Sequence, residues 1–395
     1  MPARRLIPIC LFAGLLLGLG VYFAMRNLTD PPPEPPPVEL PLPPQGAAWT
    51  MPRGDAALTG RAAPVAAERW RPVWTFRTGE QVKSCPVVAG GRVVFGSDDG
   101  HVYCVSLARG EPLWKLVTKD SVTAAPLLRD GRVYVGSNNG TFYCLRADTG
   151  EPLWTHDAQD QVASAANLLD RPEGPLLLVA TLHGRLHALN EDGDLAWRYS
   201  IEDYFNATPA VAGGRIVIGG CDNKLHLLSA ADGARLLAVE GGAMFAASPA
   251  VAAGKAYVGD YDGTFYRVDA GSGRVEWRVE SENRSFEAAA AVAGGRIVAG
   301  AADKNVYCFA AEDGEQLWKA RLRGAVFTPP VIAGETVFVG SDDGRLHALN
   351  LADGSKRWSY DLGSAVTAGP AVAGGWLLVG CADGTVHCLA PESGP

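Results

Sequence analysis

The chain has 395 residues, 47% apolar and 20% charged, which is more than one small domain needs to bury a core. Its net charge of −8 argues against nucleic acid or anionic lipid as the main partner, because both call for a basic face. With 47 Gly, 27 Pro and only 4 Met, the composition suits turn-rich β structure and excludes collagen, coiled coil and general disorder.

Leu6 to Met25 form an uncharged apolar run of 20 residues. As a helix it would span roughly 30 Å, the thickness of a bilayer core. Arg4 and Arg5 precede it, so the remainder of the chain is expected outside the cytoplasm. A cleaved signal peptide would end in an A-x-A-like site, and Phe23-Ala24-Met25-Arg26 is a poor one; an uncleaved signal-anchor is the reading preferred. Cys10 lies inside the apolar run behind Ile9, a poor setting for lipidation. Gly14 and Gly18 make one G-x-x-x-G, which ordinary membrane-helix glycine also explains. Residues 31–44 hold nine prolines, a polyproline II spacer of roughly 40 Å or, alternatively, a ligand for an SH3-like domain. The expected division is a cytoplasmic end over 1–5, a transmembrane segment over 6–25, a Pro-rich linker over 26–48 and one folded domain over 49–395.

From residue 74 the chain repeats. A turn between two apolar strands recurs as Ser97-Asp98-Asp99-Gly100, Ser137-Asn138-Asn139-Gly140, Leu182-His183-Gly184, Cys221-Asp222-Asn223, Tyr261-Asp262-Gly263, Ala302-Asp303-Lys304, Asp342-Asp343-Gly344 and Ala382-Asp383-Gly384. The last turn residues are spaced by 40, 44, 39, 40, 41, 40 and 40, the long interval carrying an insertion at Arg171-Pro172-Glu173-Gly174-Pro175. Each unit runs from a small-residue segment ending near Pro, through a Gly-Gly or Asp-Gly turn, to an apolar run such as Val93-Val94-Phe95. The Asp-Gly turn, an alternating strand such as Val102-Tyr103-Cys104-Val105 and a strand bearing Trp follow. Four short strands joined by hairpin turns in 40 residues suit a propeller blade.

A Gly-x-x-x-Trp pair recurs at 110/114, 150/154, 193/197, 273/277, 314/318 and 354/358; after Gly233 the Trp is replaced by Leu237. The eighth repeat stops at Gly394-Pro395, where its Trp strand should begin, and an unmatched Trp strand lies around Trp74. The expected fold is therefore all-β: an eight-bladed β-propeller of four-stranded antiparallel blades, closed by its N-terminal strand, which leaves no open sheet edge, and preceded by one transmembrane helix.

These motifs resemble the pyrroloquinoline-quinone-like (PQQ-like) repeat family of eight-bladed propellers. Ala147-Asp148-Thr149-Gly150-Glu151-Pro152-Leu153-Trp154 is similar to its tryptophan-docking motif, and Trp49 to Gly60 looks like the lead-in segment of its secreted members. The resemblance covers about 49–395 and implies that Trp74, Trp114, Trp154, Trp197, Trp277, Trp318 and Trp358 stack across blade boundaries. It leaves two branches, quinoprotein dehydrogenases and a non-catalytic BamB-like branch. The dehydrogenases have a quinone floor, a Ca²⁺ site, a catalytic carboxylate and usually a vicinal Cys pair. This chain has no adjacent cysteines and no long loops between repeats.

No catalytic, cofactor-binding or metal site is expected. His187, His226, His347 and His387 share one repeat position with Tyr103, Tyr143, Tyr266 and Tyr307, as expected of a blade-packing position with a polar handle. His183 and His187 flank a turn and enter a strand, where four residues span about 13 Å, too far for one zinc ion. Cys104, Cys144, Cys308 and Cys388 share a register with Ala188, Leu227, Arg267 and Ala348 and read as small buried side chains. The Asp-Gly turns lack the alternating carboxylates of Ca²⁺ loops. One variable ring remains, three positions before each blade-start Pro or its equivalent: Lys83, Thr123, Ala163, Asn206, Ala246, Glu287, Phe327 and Thr367. It should encircle one mouth of the central channel, with Lys83, Asn206 and Glu287 as the candidate ligand contacts. The expected function is a non-enzymatic, membrane-anchored, extracytoplasmic scaffold with protein partners in the cell envelope and no cofactor. The BamB-like resemblance implies outer-membrane protein assembly. Alternatives are a small-ligand or glycan module at the channel mouth and a quinone-dependent dehydrogenase. A monomeric propeller and no nucleic-acid partner are expected.

Overall fold

The computed structural model describes residues 41–280 and 285–392. The expected N-terminus 1–5, membrane segment 6–25 and linker as far as residue 40 lie outside the described residues. Among the described residues no helix is long and apolar enough to cross a membrane.

The described strands form eight sheets of four antiparallel strands, seven of them in sequence order, and the sheet of blade 7 carries a short fifth strand, Arg61–Ala62, added in parallel. Blades 1 to 7 occupy residues 87–117, 127–157, 167–200, 210–240, 250–279, 291–321 and 331–361. Each has a short inner strand facing the axis, two long central strands and an outer strand; the central pair supplies most of the buried side chains. The insertion at 171–175 sits between the inner and second strands of blade 3. Blade 8 takes its inner three strands from Val366–Ala373, Trp376–Cys381 and Thr385–Pro391 and its outer strand from Trp70–Arg77, paired antiparallel from Trp70↔Pro391 to Arg77↔Thr385. The ring is thus closed by the N-terminal strand, as the unmatched Trp74 predicts.

Adjacent blades are fastened by the repeated Trp and Gly. Each docking Gly has positive φ, and a Cβ built on Gly110, Gly150, Gly193, Gly233, Gly314 or Gly354 would lie 2.3–2.9 Å from the indole of the preceding blade. Only Gly accommodates both the turn and the ring. Indole N–H groups close the contact: Trp74 donates to Leu107 O (2.7 Å), Trp114 to Ala147 O (3.0 Å), Trp154 to Glu191 O (2.7 Å), Trp277 to Ala311 O (3.2 Å) and Trp318 to Leu351 O (2.8 Å). Trp74 reaches Gly110 of blade 1 from blade 8, so the same contact locks the closure. Trp358 instead packs 5.4 Å from Trp70. In blade 4, Leu237 covers Gly273 at 3.0 Å without a donor.

Trp318→Ala should cost about 3–5 kcal/mol in chemical denaturation, since the side chain is buried between blades. Gly354→Ala and Gly363→Ala both place Ala at positive φ, but only the former meets a ring. The former should be more destabilising by about 1–3 kcal/mol, the cost of overpacking.

Candidate functional site

The inner strands of a propeller leave one edge facing the axis, and their N–H groups need acceptors there. The segment from Trp49 to Ala62 supplies them by winding once around the channel. Val88 N–H donates to Trp49 O (2.8 Å) and Trp49 N–H returns a bond to Val88 O (2.9 Å); Leu128 donates to Thr50 O (2.7 Å), Val211 to Ala56 O (2.7 Å), Val251 to Ala57 O (2.8 Å), Val292 to Thr59 O (2.8 Å) and Ile332 to Gly60 O (2.9 Å). Arg61–Ala62 then continues as a parallel strand beside Val331–Ala333. These donors are the second residues of the inner strands of blades 1, 2, 4, 5, 6 and 7. In blade 3 the corresponding Leu168 N–H is taken by the Asn167 side chain (2.7 Å), whose Nδ2 donates to Ala56 O and Pro209 O, both at 2.7 Å. Asn167 is fully buried where other blades carry Val, Leu or Ala.

The segment therefore plugs the channel. Arg53 stands at its turn, at φ 64°, and is only 8% exposed. Its Nη1 donates to Pro330 O (2.7 Å) and its Nη2 to Ala290 O, two inward carbonyls of blades 7 and 6. A Cβ at Gly60 would overlap the guanidinium, which is why the plug needs Gly there. Burial lowers the Arg53 pKa to about 10, so it remains a cation at neutral pH.

Above this floor lies a cavity of about 210 Å³. Lys83, Thr123, Ala163, Asn206, Ala246, Glu287 and Phe327 line it, so seven of the eight ring positions read from the sequence converge on one space, with Arg53 beneath. The eighth, Thr367, donates to Val82 O at 2.6 Å. Lys83 pairs with Asp98 at 2.9 Å, Asn206 Nδ2 lies 3.5 Å from Cys221 Sγ, and Glu287 accepts the Ser285 hydroxyl at 2.6 Å. Small residues such as Ala125, Ala165 and Ala289 form the walls. The rim stands at most ~13 Å above the plugged strands, four extended residues away. Sequence reasoning missed Arg53 and Asn167. The first was visible only as part of a lead-in segment outside the repeat; the second was a polar break in an apolar register.

The Tyr/His register is occupied as a packing position with local partners. Tyr103 donates to Asp99 at 2.8 Å, Tyr266 to Asp260 at 2.9 Å, and Tyr307 to Asp303; Asn139 donates to Tyr143 at 3.0 Å. His226 meets Asp222 at 3.1 Å and His347 meets Asp343 at 3.4 Å. The turn acids at 99, 222, 303 and 343 also accept an N–H two residues on, so the Asp-Gly turn and the aromatic handle are one unit. His183 pairs with Asp160 at 2.6 Å and His187 with His156 at 3.1 Å, separate partners for the H-x-x-x-H pair. The seven described cysteines are free, and burial raises the thiols of Cys104, Cys144, Cys308 and Cys388.

Residues 59–203, 182–289 and 262–395 match the family described as outer membrane protein assembly factor BamB. The chain belongs to the BamB family. BamB from Moraxella catarrhalis is 21% identical, over 82% of this chain and 100% of that one, with a TM-score of 0.70. The computationally designed Ika8 protein is 20% identical over 80% and 97%, with a TM-score of 0.68. A quinohemoprotein alcohol dehydrogenase from Pseudomonas putida HK5 is 13% identical over 88% and 82%, with a TM-score of 0.74. At these identities the likenesses establish the fold. No curated protein sequence matches the chain. Among the described residues Glu287 is the one carboxylate lining the channel, and no three His, Cys, Asp or Glu side chains group to hold a metal ion, so the residues described there do not fit the quinone-and-cation arrangement of the dehydrogenase branch.

Arg53→Ala would strand two buried carbonyls and should cost about 2–4 kcal/mol by urea denaturation. A second expectation concerns acid. Burial lowers the pKa of His226, His347 and His387, and that of His187 to about 4, with His156 adding repulsion there. An unfolded His titrates near 6.5. Between about pH 6.5 and 4 the unfolded chain therefore binds more protons, and stability falls as pH falls. His187→Tyr, which installs the residue of four other blades, should remove roughly 1–2 kcal/mol of that acid loss in pH-dependent melting.

Proposed function

We propose that this protein is a non-enzymatic scaffold of the cell envelope, held at the inner membrane by its N-terminal segment with the propeller outside the cytoplasm. Its role is to bind protein partners, among them components that assemble outer-membrane β-barrels. Family membership across 59–395 is the observation that carries this reading. The uncharged run 6–25 after Arg4 and Arg5 supports the anchoring.

The channel-mouth face is the surface best suited to a partner. It is built by the Asp-Gly turns and by the connections entering each inner strand, joined by bonds such as Asp98 N–H to Gln81 O (3.0 Å) and Cys221 N–H to Tyr204 O (2.9 Å). Tyr204, Tyr261 and Phe327 stand 43–47% exposed on it, across blades 4 to 7. Such rings supply large contact area at low entropic cost and are enriched at interface hot spots.

In-cell photo-crosslinking from Tyr204 or Tyr261, followed by affinity purification and mass spectrometry, should enrich an outer-membrane β-barrel assembly component. A probe at Val117, on an outer strand, should not. Tyr204→Ala with Tyr261→Ala should weaken capture at least tenfold, a loss of about 1.4 kcal/mol or more. Equal capture from both surfaces, or none, would overturn the reading.

A further inference from the structure

Among the described residues the Arg53 guanidinium is a buried cation without an ion-pair partner. Among the described residues no carboxylate lies within ion-pair distance of it, and its Nε has no hydrogen-bond partner. Asp55, the nearest acid in sequence, is turned back on its own loop, where it accepts the Thr59 N–H at 3.0 Å and the Thr59 hydroxyl. Cys85 lines the same cavity, but burial raises its thiol pKa, so it stays neutral and supplies no charge. Two main-chain carbonyls satisfy the guanidinium's geometry and leave its charge opposed by the Asp55 carboxylate from beyond ion-pair distance. A charge in that state is costly unless something pairs with it.

The cavity above Arg53 offers what an oxyanion would need. Lys83 stands on the rim, 45% exposed at its side chain, as a second cation that an oxyanion would share with Asp98, its ion-pair partner at 2.9 Å. The Asn206 amide has donors, and the Ser248 hydroxyl accepts the Thr208 N–H at 2.9 Å while keeping a hydrogen to give. Glu287 is the opposing feature: an anion at the rim, engaged by Ser285, that limits how much negative charge the cup accepts. The alanine walls exclude anything broad and suit a compact group.

We infer that the plugged channel binds a small oxyanion, a carboxylate or phosphate group, seated over Arg53 with Lys83 at its entrance. The ligand pairs the buried charge that the fold leaves open. It also contacts the plug and several blades at once, so it holds the lead-in segment in place. This inference is independent of the protein-partner reading and goes beyond it.

The test uses the full chain in detergent, titrated with succinate and separately with sodium phosphate, with glucose as the neutral probe and sodium chloride as the ionic-strength control. The readouts are calorimetric heat and melting temperature. A saturable signal is expected from succinate or phosphate at up to about 10 mM, and none from glucose or chloride. Whichever anion binds identifies the oxyanion type. Lys83→Gln should weaken binding about fivefold or more, Glu287→Gln should tighten it about threefold or more, and Arg53→Gln should abolish it. If Arg53→Gln does not fold, the two rim variants decide, because both alter side chains at the cavity mouth. No saturable binding by either anion would overturn the inference. So would binding of glucose alone, or a melting shift identical in wild type and both rim variants, which is the signature of general salt exclusion.

Discussion

Eight inner strands facing one axis create a hydrogen-bonding demand that the repeat itself cannot meet. Every blade pairs its own strands, yet the innermost edge of each points into the channel. The structure answers with a segment that does not belong to the repeat. Trp49 to Ala62 visits the blades in turn and accepts their N–H groups with its carbonyls. The consequences follow in order. A chain that must pass close to every inner strand requires small residues on the wall, so Ala dominates there. A peptide turning inside a narrow space needs positive φ, hence Arg53, Leu58 and Gly60 at 57–64°. Once the channel is stopped at that level, what remains is a cup open at the other face.

The repeat explains how far the fold was readable. The Asp-Gly turns give the blade count, the Gly-x-x-x-Trp pairs give the blade contact, and the orphan strand at Trp74 gives the closure. Each is a local requirement repeated many times: a positive φ, a ring with a donor, a free edge. Seven positions of the ring, from Lys83 to Phe327, were legible for the same reason, since a register position in a cyclic repeat is also a place around the axis. The plug was not legible, because its partners are set by ring topology and not by neighbours in sequence. Nothing in Trp-Thr-Met-Pro-Arg-Gly says that its carbonyls will meet residues 88, 128 and 211. Arg53 was overlooked with it.

The departures from the repeat mark places where one blade does something different. In blade 3 an inner-strand Asn carries the plug's hydrogen bonding through its side chain. In blade 4 Leu237 replaces the docking indole and gives up its donor. In blade 5 Arg267 fills a register that holds Cys in four other blades. It pairs with Glu276 at 2.8 Å and donates to Ala311 O at 2.7 Å in blade 6, so a polar tie replaces a packed thiol. Each substitution keeps the blade boundary and changes the means.

The placement of the closing strand and the plug has a consequence for how the molecule is made. Both precede the first complete blade in the chain; the closing strand waits for partners synthesised last, and the plug for partners spread from Val88 to Ala333. Trp70–Arg77 pairs with Thr385–Pro391, about 300 residues later, which at about 5–20 residues per second is roughly 15–60 s of synthesis. Through that interval the backbone of Trp70–Arg77 remains without its sheet partner, even though the docking partners of Trp74, Leu107 and Gly110, are already synthesised. The lead-in chain winds inside a ring whose last blade includes the strand only a few residues after it, so plug and closing strand are tied by a short stretch of chain. The nascent protein is therefore an open arc with a tethered core, and its vulnerability to aggregation or proteolysis is concentrated in the moments before the last strand arrives.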